Sequence, residues 1–416
     1  MTNQQPKLRF KGFRGDWDKI KIGELAEIVR GSSPRPISDP RWFDNNSDIG
    51  WLRISDVTKQ NGRITNLEQK ISKEAENKTR VLYDKHLLLS IAATVGKPVI
   101  NYVKTGVHDG FLIFINPLFE IEYMYQWLDA FRPKWKKYGQ PGSQVNLNSE
   151  LVKSQSIYIP QNKEQQKIGT FFKQLDATIE LYQKQLSLVK EQKKGFLQKM
   201  FPKDGEKVPE LRFKGFSGDW DEKKLGEVSE IIDGDRGKNY PSISDFSNKG
   251  HTLFLNASNV TKNGFSFGQN QYINEVKSDS MGKGKLEEGD IILTTRGSIG
   301  NIAWYDRNIS TLFPFVRINS GMLILRTKNT ESPNFISQYL KSPIGRKQIN
   351  FISFGSAQPQ LTKKDISLYL IKKPILKEQQ KIGSFFKQLD ENIELLENKL
   401  NDLNKLKKGF LQKMFV

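Results

Sequence analysis

One forty-residue segment occurs twice in this chain of 416 residues, and the recurrence restricts the possible folds more than any other feature. Residues 162–201 align without a gap to 376–415 at 26 of 40 identical positions, and both copies end in KKGFLQKMF. A second pair lies upstream. PKLRFKGFRGDWDKIKIGELAEI, from Pro6, returns as PELRFKGFSGDWDEKKLGEVSEI, from Pro209. The helical pair is offset by 214 residues and the upstream pair by 203, so the second unit carries 11 extra residues between its ends. Weaker echoes lie in between: WLRISDVT with LFLNASNVT, LSIAATVGK with LTTRGSIGN, and GSQVNLN with GSAQPQLT. Common ends around a divergent middle imply two similar tasks on two different targets.

The forty-residue segments carry a seven-residue repeat. Apolar residues fall at Ile168, Phe172, Leu175, Ile179, Tyr182, Leu186 and Val189, and again at Ile382, Phe386, Leu389, Ile393, Leu396, Leu400 and Leu403. The 4-3-4-3-4-3 spacing is that of a coiled-coil seam, and about 38 residues of helix would extend nearly 57 Å. Lys193 and Lys407 interrupt the seam late and precede Gly195 and Gly409, where a helix ends, kinks or packs closely on another backbone. The other helix is the natural partner, and the connectivity favours an antiparallel pair. That layout puts the C-terminus near the N-terminus, gives a pseudo-two-fold axis, and holds two heads apart on a stiff rod.

The middles read differently. HLLLSIAA, KPVINYV and FLIFINPLF are apolar bursts punctuated by Gly, Pro and Asn, the pattern of short strands and turns. QSIYIP and SLYLIKKP read as a last strand closing at Pro160 and Pro374. The expected architecture is α+β: two mixed, strand-rich α/β domains separated by two long antiparallel coiled-coil helices. The expected boundaries are 1–160 and 202–374 for the heads, and 161–201 and 375–416 for the helices.

Composition narrows the partners. The net charge of +19 calls for a polyanion, and most of the excess lies outside the repeated helices. There are no cysteines, which removes disulfides and thiolate chemistry; the three histidines, His86, His108 and His251, have no ligand-like spacing. The start, MTNQQPKLRF, lacks the apolar stretch of a secretory signal, and no apolar run reaches membrane-spanning length, so a cytoplasmic protein is expected.

Catalytic motifs are near misses. IAATVGKP has Gly96-Lys97 but neither the first glycine nor the Ser/Thr of a phosphate loop. NPLF (Asn116–Phe119) is similar to the Asn-Pro-Pro-Phe element of amino-methylating DNA methyltransferases, but Leu118 replaces a proline, and a strand-to-turn reading fits better. No cofactor or metal site is expected on this chain. DNA-contact candidates cluster in the middles. Arg132, Lys134, Lys136 and Lys137 interleave with Trp135 and Tyr138 ahead of Gln144 and Asn146. Lys97 lies in the first glycine-bearing turn, and Arg296, Ser298 and Asn301 in the second; Gln358, Gln360 and Lys363 follow. Arg and Lys suit phosphates and guanine edges, and Gln and Asn suit adenine edges.

The Glu164-Gln165…Ile168 and Glu378-Gln379…Ile382 exits, each leading into a long heptad helix, together with the ISDV and LTTRGSIGN elements, resemble the specificity subunits of Type I restriction–modification enzymes. The resemblance covers essentially the whole chain. It implies a non-catalytic subunit whose two target-recognition domains each read half of a bipartite, asymmetric DNA site, with the helices setting the spacer. It also implies docking of two methyltransferase subunits, which carry S-adenosylmethionine, and recruitment of motor–nuclease subunits. The match is weaker in the first unit, where Ala92 stands at the position of Arg296. Two other classes stay open at this point: a self-contained DNA adenine methyltransferase built on Asn116–Phe119, and a coiled-coil protein adaptor.

Overall fold

A computed structural model describes residues 5–138, 147–353 and 360–416, with the backbone alone for 136–138. The chain forms two compact units, residues 1–183 with 398–416, and residues 184–397. The division cuts both long helices, so each unit contains the beginning of one and the end of the other.

Leu87–Ser90, a strand buried along its whole length, is the middle strand of the first unit's five-stranded sheet. The order is Glu27–Arg30, Phe111–Ile115, Leu87–Ser90, Pro98–Asn101 and Arg63–Ile64. Period-two alternation gives this sheet two apolar faces. Leu87, Leu89, Leu112 and Phe114 pack with helix Ile121–Phe131 and the long-helix residues Ile168 and Phe172. Leu88 and Ile113 instead pack toward Leu52 and Val107. Those two residues belong to a three-stranded sheet in which Gly50–Leu52 runs parallel to Thr105–Val107.

The second unit repeats this plan. Its four-stranded sheet has the order Ser229–Asp233, Met322–Thr327, Ile291–Thr294 and Ile302–Trp304. Ile291, Leu293, Leu323 and Leu325 face one core, whereas Ile292, Met322 and Ile324 face another. Thr252–Leu255 runs parallel to Val316–Ile318, as the WLRISDVT/LFLNASNVT echo implies. The expected closing strands are present at Ser156–Ile159 and Leu370–Lys373, paired antiparallel to Asp18–Lys21 and Asp221–Lys224. NPLF is a strand exit: Asn116 takes a positive φ of 48° directly after Phe111–Ile115.

The repeated segments are helices of 38 and 39 residues, Asn162–Lys199 and Leu376–Met414. Every one of the fourteen seam positions is buried or half-buried. Within each unit the two helices run antiparallel. Phe171 meets Phe410 and Phe172 stacks on Phe415 in the first; Phe196 meets Phe385 and Phe201 stacks on Phe386 in the second. Leu8 N–H donates to the Lys413 carbonyl at 2.9 Å, which brings the N-terminal segment to the last turn of the second helix. The corresponding bond, Leu211 N–H to the Lys199 carbonyl at 2.8 Å, recurs in the second unit.

Gly195 and Gly409 do not act as the sequence suggests. Both helices run through them, and a Cβ at either would meet nothing within 4 Å. The close approaches are at Gly169 and Gly383 instead. A Cβ there would come within 2.8 Å of Tyr123 N and 3.1 Å of Phe335 N. The seam-interrupting lysines have partners on the opposite helix: Lys407 pairs with Asp176 at 2.7 Å, and Lys193 pairs with Asp390. Half-buried polar pairs at such positions help to set the register of paired helices.

The most conspicuous duplicated motif, Glu-Gln at the helix starts, is structural. Arg9 donates from Nε and Nη2 to both oxygens of Glu164 at 2.7 Å, and Arg212 does the same with Glu378 at 2.7 Å. The neighbouring glutamines each bridge two backbone groups. Gln165 accepts from Glu120 N and donates to Pro160 O, and Gln379 accepts from Ser332 N and donates to Pro374 O. Each glutamine thus ties the closing strand to the unit's internal helix just where the long helix departs.

Candidate nucleic-acid interface

Each unit carries one tight turn between two core strands, and the turns share a conformation despite different sequences. Gly96 N–H donates to the Ser90 carbonyl at 2.8 Å, and Gly300 N–H to the Thr294 carbonyl at 2.9 Å. Positive φ occurs at Ala93 and Gly96 in the first turn, and at Gly297 and Gly300 in the second. Position 93 therefore holds a left-handed conformation with an alanine, where the second unit uses a glycine.

A second turn supports each of these. Ile91 N–H donates to the Gly110 carbonyl at 2.9 Å, and Thr295 N–H to the Gly321 carbonyl at 2.8 Å. A glycine-led loop presses on the same support. Added Cβ atoms at Gly31 and Gly234 would lie 2.2 Å from the carbonyls of His108 and Asn319. Three segments thus converge around residues 108–110 and around 319–321.

The chemistry on this common frame differs between the units. In the first, Asp109 accepts from Ser33 Oγ at 2.9 Å and pairs with Arg35 at 3.1 Å. Burial opposes its ionisation, but the Ser33 hydrogen bond and the charges of Arg30 and Arg35 outweigh it and hold the carboxyl below its usual range. Beside it, His108 is mostly buried, and Nδ1 accepts the Gly110 N–H at 2.8 Å; burial lowers its pKa despite the attraction of Asp109. In the second unit Ser320 replaces Asp109, and its carbonyl accepts from Arg236 Nη2 at 3.2 Å. Asp235 accepts from Gly237 N and Gly282 N, each at 2.7 Å, which stiffens the loop bearing Arg236 and Lys238. An open cleft of about 600 Å³ lies along this loop, lined by Arg236, Lys238, Asn239 and Lys283 as well as Asp233 and Asp235.

Arg296 and Ser298 are exposed on the second turn, and Gln360 is brought near by the Leu361 N–H, which donates to the Thr295 carbonyl at 3.2 Å. Lys363 is exposed at the first position of the short helix Lys363–Ser367. Asn301 is buried: its side-chain amide donates to the Val260 carbonyl at 2.9 Å, so it holds the turn rather than facing outward. In the first unit Lys97 is tied to Asp129 at 3.1 Å, and Arg132 Nε donates to the Val95 carbonyl at 3.2 Å. Lys134 is exposed above the Phe131 ring. Trp135, an aromatic of the expected basic cluster, is buried in the core. Gln144, Asn146 and Gln358 lie outside the described residues, as do the side chains of Lys136 and Lys137. Sequence reading missed Arg236, Lys238 and the Asp109–Arg35 pair. The signal for the first two was the glycine-spaced basic run GDRGKN, beginning at Gly234.

Residues 14–191 and 217–405 both match the family described as the Type I restriction modification DNA specificity domain. The chain belongs to this family. It is similar to two specificity subunits of Methanocaldococcus jannaschii. It shares 25% identity with that of the Type I restriction enzyme MjaIX, over 96% of this chain and 92% of the relative. With that of the Type I restriction enzyme MjaVIII it shares 21%, over 95% and 91%. Among solved structures, the crystal structure of a Type I restriction–modification system S subunit from M. genitalium matches with a TM-score of 0.66 at 15% identity, covering 99% of each chain. In this specificity-family chain, the duplicated domain match coincides with the two turn-bearing units. No helix among the described residues is long and apolar enough to cross a membrane.

Proposed function

We propose that the chain is the non-catalytic specificity subunit of a Type I restriction–modification enzyme, each unit reading one half of a bipartite, asymmetric DNA sequence. The observation that carries this reading is the pair of domain matches falling on two units with one backbone plan and different exposed chemistry. In this reading the two turns and their neighbouring loops face DNA, and the long helices set the spacer. The same helices dock two methyltransferase subunits, which bring S-adenosylmethionine, and motor–nuclease subunits join for cleavage. The net charge of +19 supports a polyanionic partner.

Exchanging the middle of the second unit, between Asp221 and Lys373, for that of a relative tests the reading. The exchange should change one half of the recognised sequence and leave the other half and the spacer intact. A change in both halves, or in neither, would refute it. Tight binding of S-adenosylmethionine by the chain alone, measured by calorimetry, would favour a self-contained methyltransferase. Binding to DNA with a flat dependence on salt would favour an adaptor role, because each phosphate contact contributes roughly −0.9 to the log–log slope.

A further inference from the structure

We infer that the second unit reads a guanine through Arg296, and that the equivalent turn of the first unit has no such reader, so the two half-sites differ in kind at that step. The inference rests on the DNA-specificity reading above and adds the base and the residue.

Arg296 and Arg307 are the arginines of the second unit whose guanidiniums have no partner among the described residues. Of the two only Arg296 stands on the clamped turn, Arg307 opening the short helix Arg307–Leu312. Arg212, Arg317 and Arg326 of the same unit are held by Glu378, by Ser278 with two backbone carbonyls, and by Asp290 with Glu287. The Arg296 guanidinium has no hydrogen-bond or ion-pair partner among the described residues, although its backbone is firmly held. Thr294 N–H donates to the Asn301 carbonyl at 3.0 Å, and Thr295 is bonded on one side to Gly321 and on the other to Leu361. The Thr294 hydroxyl bonds to the Ser298 carbonyl and accepts from Asn301 N. An unpaired fork on a clamped turn has its donors free and little backbone entropy left to lose on binding. A guanidinium presents parallel N–H donors that match guanine O6 and N7, the commonest base-specific contact in the major groove.

Arg236 does not compete for the base, and its charge is partly offset by Asp233 at 3.9 Å. It donates to the Ser320 carbonyl, next to Gly321, where an added Cβ would lie 3.9 Å from the Arg296 Cβ. The first unit has the same turn with Ala92 in place of Arg296, and Asp109 neutralises Arg35 beside it. A methyl group there can meet a thymine methyl, but it has no donor for guanine.

The test selects binding sequences from a pool of random-sequence DNA duplexes with the full chain co-expressed with its modification subunits, comparing wild type, Arg296→Ala and Arg296→Lys. Wild type should select a bipartite consensus with a guanine that Arg296→Ala loses and Arg296→Lys selects more weakly, at one position of one half. Discrimination there should fall roughly tenfold to hundredfold in Arg296→Ala. Arg296→Lys keeps the charge but replaces the fork by a single ammonium, so it should weaken the guanine preference with an unchanged salt slope. An unchanged consensus in both variants would overturn the inference. So would equal weakening on every sequence by Arg296→Ala with rescue by Arg296→Lys, because that is the behaviour of a phosphate contact. If wild type selects no consensus at all, the DNA-specificity reading falls and takes the inference with it. Arg296 is exposed, so a thermal midpoint equal to wild type is expected for both variants.

Discussion

Glu378→Gln tests the idea that the Glu-Gln motif is a buried clamp. The Glu378 side chain is 1% exposed, and both its oxygens accept from Arg212, itself 14% exposed. Arg212 also donates to the carbonyls of Gly218 at 2.6 Å and Ser217 at 3.0 Å, so it cannot swing out to water without breaking the opening segment of the unit. Glutamine keeps the volume but removes the charge and turns one acceptor into a donor facing another donor. Removing one member of a buried ion pair costs about 3–5 kcal/mol, because the remaining charge stays desolvated. For a unit of this size each kcal/mol lowers the midpoint by roughly 2–4 °C, so scanning calorimetry should register a fall of about 6–20 °C. The double substitution Arg212→Met with Glu378→Leu should recover most of that loss, since replacing a whole buried pair by apolar groups is often neutral. A fall below about 2 °C in the single variant, or no recovery in the double, would refute the clamp. Glu164→Gln should act in the same way on the first unit, where Arg9 is the partner.

Gly195→Ala and Gly409→Ala should each raise stability by about 1 kcal/mol, because the helices continue through open space there; Gly383→Ala should lower it, since its Cβ meets the Phe335 backbone. Denaturant titration distinguishes the two signs. His108 is held neutral by burial, so its native pKa lies below the unfolded value. The unfolded chain therefore binds the extra proton first: this contribution to stability is complete above about pH 6.5 and is lost as the pH falls from there through the native pKa. In His108→Gln, stability of the first unit should depend less on pH across that interval. A circular permutant joining Val416 to Met1 and opened near Asp204 should fold. Twelve residue steps link Lys199 to Leu211 in the second unit, and direct fusion would link Lys413 to Leu8 by eleven. Native-like circular dichroism and a cooperative melt check this.

Much of the architecture was legible because it is periodic. The seven-residue spacing from Ile168 and Ile382 marked both helices, and the run at His86–Ala93 marked a central strand. The Arg9–Glu164 and Arg212–Glu378 clamps were not legible, since they join residues 155 and 166 positions apart and leave no local pattern. Gly195 and Gly169 look alike in sequence, yet only the packing of helix Ile121–Phe131 decides which one needs to be small. The candidate site was partly visible. Arg296 and Ser298 stood out on a glycine-bearing turn and are exposed. Asn301 belonged to the same motif, but it points inward to Val260, a contact 41 residues away that no local rule anticipates. Trp135 looked like a stacking surface among lysines; burial against the first unit's core gives it another role.

The central claim is that this chain decides which DNA sequence its enzyme acts on. Mapping methylated bases across the genome of the source cell, with this chain present and then deleted, addresses that claim most directly. The account predicts that one bipartite, asymmetric motif loses its methylation on deletion and regains it when the chain is restored. Methylation unchanged at every motif would contradict it.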